Sequence, residues 1–88
     1  MLKVYAAAWC WHCVRTIEYL KKNSIDFDYL DIEKQTRQIL DKIIEVNGGV
    51  DWVVPTLEFN GRWREGKVFN EKGLAADLKE LGVILTQP

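Results

Sequence analysis

The stretch Leu2-Lys3-Val4-Tyr5-Ala6-Ala7-Ala8-Trp9-Cys10-Trp11-His12-Cys13 decides how this chain folds. Leu2 to Ala7 is a short apolar run that reads as a buried strand, and the residues from Cys10 to about Asn23 read as a helix. A strand that runs into a helix at a Cys-x-x-Cys is the setting in which the pair is redox-active rather than structural. The stretch also holds both cysteines of the chain and its only histidine.

Working outward, Val14, Ile17 and Leu20 fall on one face of the first helix. Glu18 and Lys22 form an i,i+4 pair in the favourable order, and Lys21 and Lys22 place cations at the negative end of the helix dipole. Asn23-Ser24 ends it. Phe27 to Ile32 interleaves aromatic and apolar residues with aspartates and suits a second strand, so the first half predicts a parallel βαβ unit with a right-handed crossover. A second helix is expected from about Lys34 to Asn47, with Ile39, Leu40, Ile43 and Ile44 as its apolar stripe and Gly48-Gly49 as its stop. Thr56 to Phe59 and Arg62 to Glu65 flank Asn60-Gly61, a strong signal for a two-residue hairpin. Asn70 is a good N-cap with Glu71 behind it, and Leu74, Leu78 and Leu81 give the buried face of a last helix. The class is α/β and the order βαβ-α-ββα.

Eighty-eight residues are expected to make a single unit over 1–88. Twelve basic residues against thirteen acidic ones give a net charge of −1, so no basic field is present for nucleic acid or an anionic membrane. No apolar stretch approaches the roughly 18 residues needed to cross a bilayer. The first residues do not read as a signal peptide, and a cytoplasmic location is expected. Thiols are kept reduced there, so two cysteines suggest a working dithiol rather than a staple.

A thiolate, not a thiol, attacks a disulfide. Cys10 would sit where the first helix begins, beside unpaired N–H groups and the positive end of the dipole. Cys13, one turn inside, would present its N–H to the Cys10 sulfur. Cys10 is thus the expected nucleophile and Cys13 the resolving thiol. A structural zinc site normally needs four ligands, and this chain offers one pair and one histidine, so no metal is expected. A cationic His12 would favour the Cys10 thiolate and make the disulfide more oxidising; an exposed, inert imidazole is the plainer reading. Trp11 is expected to be exposed, as a substrate contact or a lid, and Trp9 to pack beside the site. Pro55 stands at a strand start, where a cis bond is tolerated although trans is commoner.

In this order, Val4-Tyr5 with Trp9-Cys10-x-x-Cys13, Asp31-Ile32-Glu33, Asn47-Gly48-Gly49 and Val54-Pro55 resemble the glutaredoxins, within the thioredoxin-fold superfamily. The run from Tyr5 to Cys13 and the Asn-Gly-Gly before Val-Pro look most like the bacterial glutaredoxin-like proteins called mycoredoxins. The resemblance implies a minimal thioredoxin fold, a four-stranded mixed sheet flanked by three helices. It also implies a cis Val54–Pro55 bond facing the cysteines, with the Val54 backbone pairing with an extended substrate. A thiol–disulfide oxidoreductase is expected, acting on protein disulfides or glutathionylated proteins, with glutathione as co-substrate or a thioredoxin-reductase-type reductant, as a monomer. Arg37 or Gln38 could meet a glutathione carboxylate. Trp11-His12 stands where Pro-Tyr or Gly-Tyr is usual, Ala6-Ala7-Ala8 where many members carry a lysine, and Val53 where threonine is common. No Gly-Gly-x-x-Asp element is recognisable in residues 65–70. A histidine before the second cysteine is similar to protein disulfide isomerases and implies an unusually oxidising pair. From other classes, the chain could carry a [2Fe–2S] cluster as a glutathione-linked dimer, which Trp11 would crowd, or bind proteins through its exposed tryptophans.

Overall fold

The computed structural model describes residues 1–83, so the expected unit over 1–88 extends into residues outside the described ones. The chain runs β1 (Leu2–Ala6), α1 (Trp11–Lys22), β2 (Phe27–Asp31), one 3₁₀ turn (Ile32–Lys34), α2 (Arg37–Val46), β3 (Thr56–Phe59), β4 (Arg62–Arg64) and α3 (Glu71–Leu81). The most apolar strand is an inner one. β1 pairs in parallel with β2, from Leu2 opposite Phe27 to Ala6 opposite Asp31, and antiparallel with β3 through Val4 and Leu57. β4 adds antiparallel to β3, so the strand order is β2-β1-β3-β4. This is the four-stranded mixed sheet with three helices that the sequence led us to expect.

Burial follows the patterns read from the residues, with one shift of face. Leu2, Val4, Leu20, Ile32, Ile43, Leu57, Leu74 and Leu78 form the core, each at most 1% exposed. Tyr5 stacks on Trp63 with ring centroids 5.8 Å apart, which covers β4 at the sheet edge. On α1, however, the inward stripe is Cys13, Thr16 and Leu20, while Val14 lies 37% exposed. Turning Cys13 toward the core rotates Val14 outward, and the Thr16 hydroxyl is satisfied by donating to the His12 carbonyl at 2.8 Å. Counting apolar residues alone misses a face that includes a thiol and a back-bonded threonine.

Local caps set the ends. The second helix begins at Arg37 rather than near Lys34, because Thr36 accepts the Ile39 N–H at 3.3 Å. Asp31, accepting from the Glu33 N–H at 2.9 Å, starts a separate 3₁₀ turn before it. Both residues cap better than a lysine can. The Asn60-Gly61 turn has positive φ at both residues, 51° and 84°, as a type I′ hairpin requires. Asn70 caps α3 by accepting from the Gly73 N–H at 2.8 Å. Among the described residues no helix is long and apolar enough to cross a membrane.

β4 is fastened to α3 by a partly buried ion pair. The Arg64 Nε donates to Asp77 Oδ2 at 2.9 Å, and Lys67 Nζ donates to the same oxygen at 2.9 Å. Burial alone would raise the Asp77 carboxyl, but the hydrogen bonds from Lys67 and Arg64 outweigh it and hold the group below its ordinary value of 3.8. A lowered carboxyl stabilises the fold above its unfolded value and ceases to as pH falls through the folded one. Asp77→Asn should therefore lower the unfolding free energy at pH 7 by about 1.5–3 kcal/mol, measured by urea denaturation. The gap to the native protein should narrow as pH falls below about 4, where the unfolded carboxyl takes up a proton that the native one still resists, and close once pH passes below the lowered folded value.

Candidate active site

Helix α1 is capped by a sulfur. Cys10 has extended backbone, φ −88° and ψ 115°, and its Sγ accepts the Cys13 N–H at 3.2 Å, where an N-cap is usually a serine, threonine, aspartate or asparagine oxygen. Its own N–H donates to the Ala7 carbonyl at 3.1 Å, and its carbonyl accepts from Val14 at 3.0 Å. Negative charge on that sulfur would be favoured twice, by the direct N–H and by the positive end of the helix dipole. Both thiols are free, Cys10 at 8% exposure and Cys13 at 1%.

The two sulfurs differ in their hold on a proton. Burial first, and then the hydrogen bond and charge of Cys10, push the Cys13 thiol up from 9.0 to about 12, against a smaller opposing bond with Ala7. Cys13 therefore keeps its proton at neutral pH. It can serve as donor to the outer sulfur, and it becomes easier to ionise once that sulfur has lost its charge in a covalent bond.

Opposite the pair lies the Val54–Pro55 bond, cis as the resemblance implied. The Cys10 thiol faces the Val54 carbonyl at 3.8 Å. Three elements hold this segment in place. Thr56 at the start of β3 donates to the Val53 carbonyl at 2.6 Å. Asn47, just past α2, donates to Thr56 Oγ1 at 3.0 Å and to the Ile43 carbonyl at 2.8 Å, and accepts from the Gly66 N–H at 2.7 Å. Gly66 packs so closely on Val53 that a Cβ there would fall 2.3 Å from its Cγ1. In the sequence Asn47 reads only as the last residue of the second helix before the Gly48-Gly49 stop and as part of the Asn47-Gly48-Gly49 match to the family, not as this hub. Its only signal was an amide beside two glycines.

The first turn of α1 is also fastened to the segment before α3. His12 Nδ1 accepts the Phe69 N–H at 2.9 Å, a contact across 57 positions. His12 thus serves as a tether between the first turn of α1 and the segment before α3. Beside it, the Arg15 guanidinium lies 5.6 Å from the Trp11 ring and 5.4 Å from the Phe69 ring. Trp11 is exposed as expected, at 64%; Trp9, expected to pack beside the site, is instead 66% exposed. It occupies the short loop between β1 and α1, with Ala7 and Cys10 of the same loop buried.

Arg37 and Gln38 open α2 and are exposed. Arg37 is paired with Asp41 at 2.9 Å, and among the described residues no hydrogen bond or ion pair joins either side chain to Cys10, Cys13 or Val54. Among the described residues no group of three or more His, Cys, Asp or Glu is placed to hold a metal ion. A charged hollow of about 300 Å³ between β4 and α3, around Arg64 and Asp77, includes neither cysteine.

Comparison with known proteins agrees with this geometry. The Glutaredoxin family profile matches residues 2–63. A candidate glutaredoxin of Mycobacterium tuberculosis, found in two strains, is 38% identical over 58 residues, which span 66% of this chain and 67% of that protein. The crystal structure of the glutaredoxin Grx-1 from Archaeoglobus fulgidus superposes with a TM-score of 0.66 at 26% identity, over 85% of this chain and 82% of that one. A buckwheat glutaredoxin in complex with glutathione gives 0.67 at 19% identity, over 94% and 80%, a likeness of fold. The architecture is the thioredoxin fold in its glutaredoxin form.

The raised Cys13 thiol has a consequence for stability. A group whose folded value lies above its unfolded one stabilises the fold below the unfolded value, and that contribution is lost as pH rises toward the folded value. The reduced protein should lose unfolding free energy between pH 9 and about 12, and a Cys13→Ala variant should lose measurably less over that range in urea titrations. Tyr5, raised chiefly by burial, contributes equally to both proteins, whereas Tyr29 is raised by burial and then by the charge of Cys13, so its contribution also shrinks in the variant and adds to the difference in the same direction.

Proposed function

The chain belongs to the glutaredoxin family, and from that premise we propose a dithiol thiol–disulfide oxidoreductase in which Cys10 attacks and Cys13 resolves. The observation that carries this reading is the asymmetry of the pair: the outer sulfur receives an N–H at a helix start, and the inner one retains its proton.

The steps balance as an exchange of two sulfur–sulfur bonds. The Cys10 thiolate attacks a substrate disulfide along its S–S axis, forms a Cys10–substrate bond and expels one substrate thiolate, which takes a proton from solvent. The charge that helped hold the Cys13 proton has then gone, so Cys13 ionises and attacks the Cys10 sulfur. A Cys10–Cys13 disulfide forms and the second substrate thiolate leaves. The substrate gains two electrons and two protons, and the dithiol loses them. Glutathione or a thioredoxin-reductase-type protein restores the dithiol by the reverse exchange. An extended substrate strand pairs with the Val54 backbone next to Pro55, which Asn47, Thr56 and Gly66 hold in place.

Arg37 and Gln38 are retained as contacts for a substrate carboxylate, at the start of α2. His12 tunes the pair through its position, and Trp11 shapes the approach to Cys10. Substrates are protein disulfides or glutathionylated proteins, and we read the chain as a single unit that works as a monomer in the cytoplasm without a metal.

The pair of cysteine variants tests the roles. Cys13→Ser should accumulate a mixed disulfide at Cys10, visible by intact mass. Cys10→Ser should lose dithiol reductase activity by at least about a hundredfold. A Cys10→Ser protein with native activity would overturn the assignment. Parallel assays coupled to glutathione reductase and to thioredoxin reductase identify the reductant.

A further inference from the structure

Around Cys10 the chain leaves apolar side chains exposed and engages its cations elsewhere. Trp9 and Trp11 flank the sulfur at 66% and 64% exposure, with Val53 at 42% beside Val54 and Val68 at 69% beside Phe69. Arg15 stands between the Trp11 and Phe69 rings and meets Glu18 at 3.6 Å. Lys67 is bound to Asp77 and Arg37 to Asp41, each at 2.9 Å, and the Phe69 N–H is given to His12. A small anionic thiol is held by cations and N–H donors, and of these Arg15, Lys67 and the Phe69 N–H already have partners, while Arg37 stands in an exposed surface pair that a carboxylate can exchange. Bulky apolar surface rarely remains exposed in a cluster without an interaction to serve.

A second feature lies on the other side of the pair. A hollow of about 330 Å³ opens over Cys13 between α1 and β2, with Ala7, Ala8, Val14, Ile17 and Tyr29 in its wall. Its lining also carries Glu18 and Lys21, whose charges are opposite. The outward turn of Val14 contributes to this wall instead of to the core. The space, whose wall includes Cys13 but not Cys10, is large enough for one aliphatic or aromatic side chain.

Building on the oxidoreductase reading, we infer that the substrate is a disulfide in an extended protein segment with a bulky apolar residue beside its half-cystine. That residue enters the hollow over Cys13 while the segment crosses Trp9, Trp11 and Val53. The apolar contact supplies the specificity, and the chemistry is the exchange already described.

Single-turnover rates of the pre-reduced protein test this without any choice of reductant. Three substrates are compared with bis(2-hydroxyethyl) disulfide: the glutathione–2-mercaptoethanol mixed disulfide, and two peptides whose single cysteine is disulfide-bonded to 2-mercaptoethanol. The peptides differ only in flanks, leucine and phenylalanine against serine and glutamine. The apolar peptide should react about tenfold or more faster than the polar one and faster than the glutathione disulfide. Val14→Asn, within the hollow, and Trp11→Ser, on the exposed rim, should each bring the peptide ratio toward one. Equal peptide rates, a ratio unchanged in both variants, or the glutathione disulfide reacting fastest would overturn the substrate class. A protein that reduces bis(2-hydroxyethyl) disulfide but shows no preference loses only this inference. One that reduces none of the four loses the oxidoreductase reading as well.

Discussion

The hydrogen bond from the Cys13 N–H to the Cys10 sulfur, at 3.2 Å, is the interaction on which the site depends. It starts helix α1, so it belongs to the fold. It also directs a backbone dipole at the atom that must carry charge, so it belongs to the chemistry. Because the cap spans three residues, it fixes Cys13 one turn inside, where burial and the neighbouring sulfur keep its thiol protonated. In the proposed exchange, that one local bond distinguishes an outer sulfur that attacks from an inner sulfur that resolves.

The rest of the structure brings a second wall to that sulfur and holds it still. Val54 belongs to a segment without sheet pairing of its own, yet Thr56, Asn47 and Gly66 tie it to β3, α2 and the residues after β4. On the other side His12 and Arg15 tie α1 to Phe69. His12 and Arg15 are engaged in these tethers, and Trp9, Trp11 and Val53 stand exposed near the sulfurs. Rigidity around the reactive atom and an apolar exterior thus follow from the same use of hydrogen bonds.

Much of this was legible in the residues. Elements with their own local signature were placed correctly: the strand running into Cys-x-x-Cys, the Asn60-Gly61 hairpin and the Asn70 cap each work through neighbours a few positions away. The Val14 face failed because helix periodicity ranks apolar residues, and the actual face includes Cys13 and Thr16. The start of α2 lies three residues beyond the expected Lys34 because Thr36, through its hydroxyl on the Ile39 N–H, caps it. Asn47 as a hub, the His12–Phe69 bond and the Arg15 stacking were beyond reach for a different reason. They join positions up to 57 residues apart, and nothing in a neighbourhood reading pairs such residues. Trp9, expected beside the site, stands there with its ring largely in solvent, a degree of exposure that residue type alone does not give.

The proposed exchange requires the Cys10 sulfur to ionise at neutral pH. Reduced protein should be exposed to limiting iodoacetamide at pH 7, with the modified residue mapped by peptide mass and the rate set beside that of free cysteine. A sulfur held as an anion at the head of α1 should be alkylated at Cys10, about tenfold faster than free cysteine, with Cys13 left unmodified. Modification at Cys13, or a Cys10 rate equal to that of the free amino acid, would contradict the account.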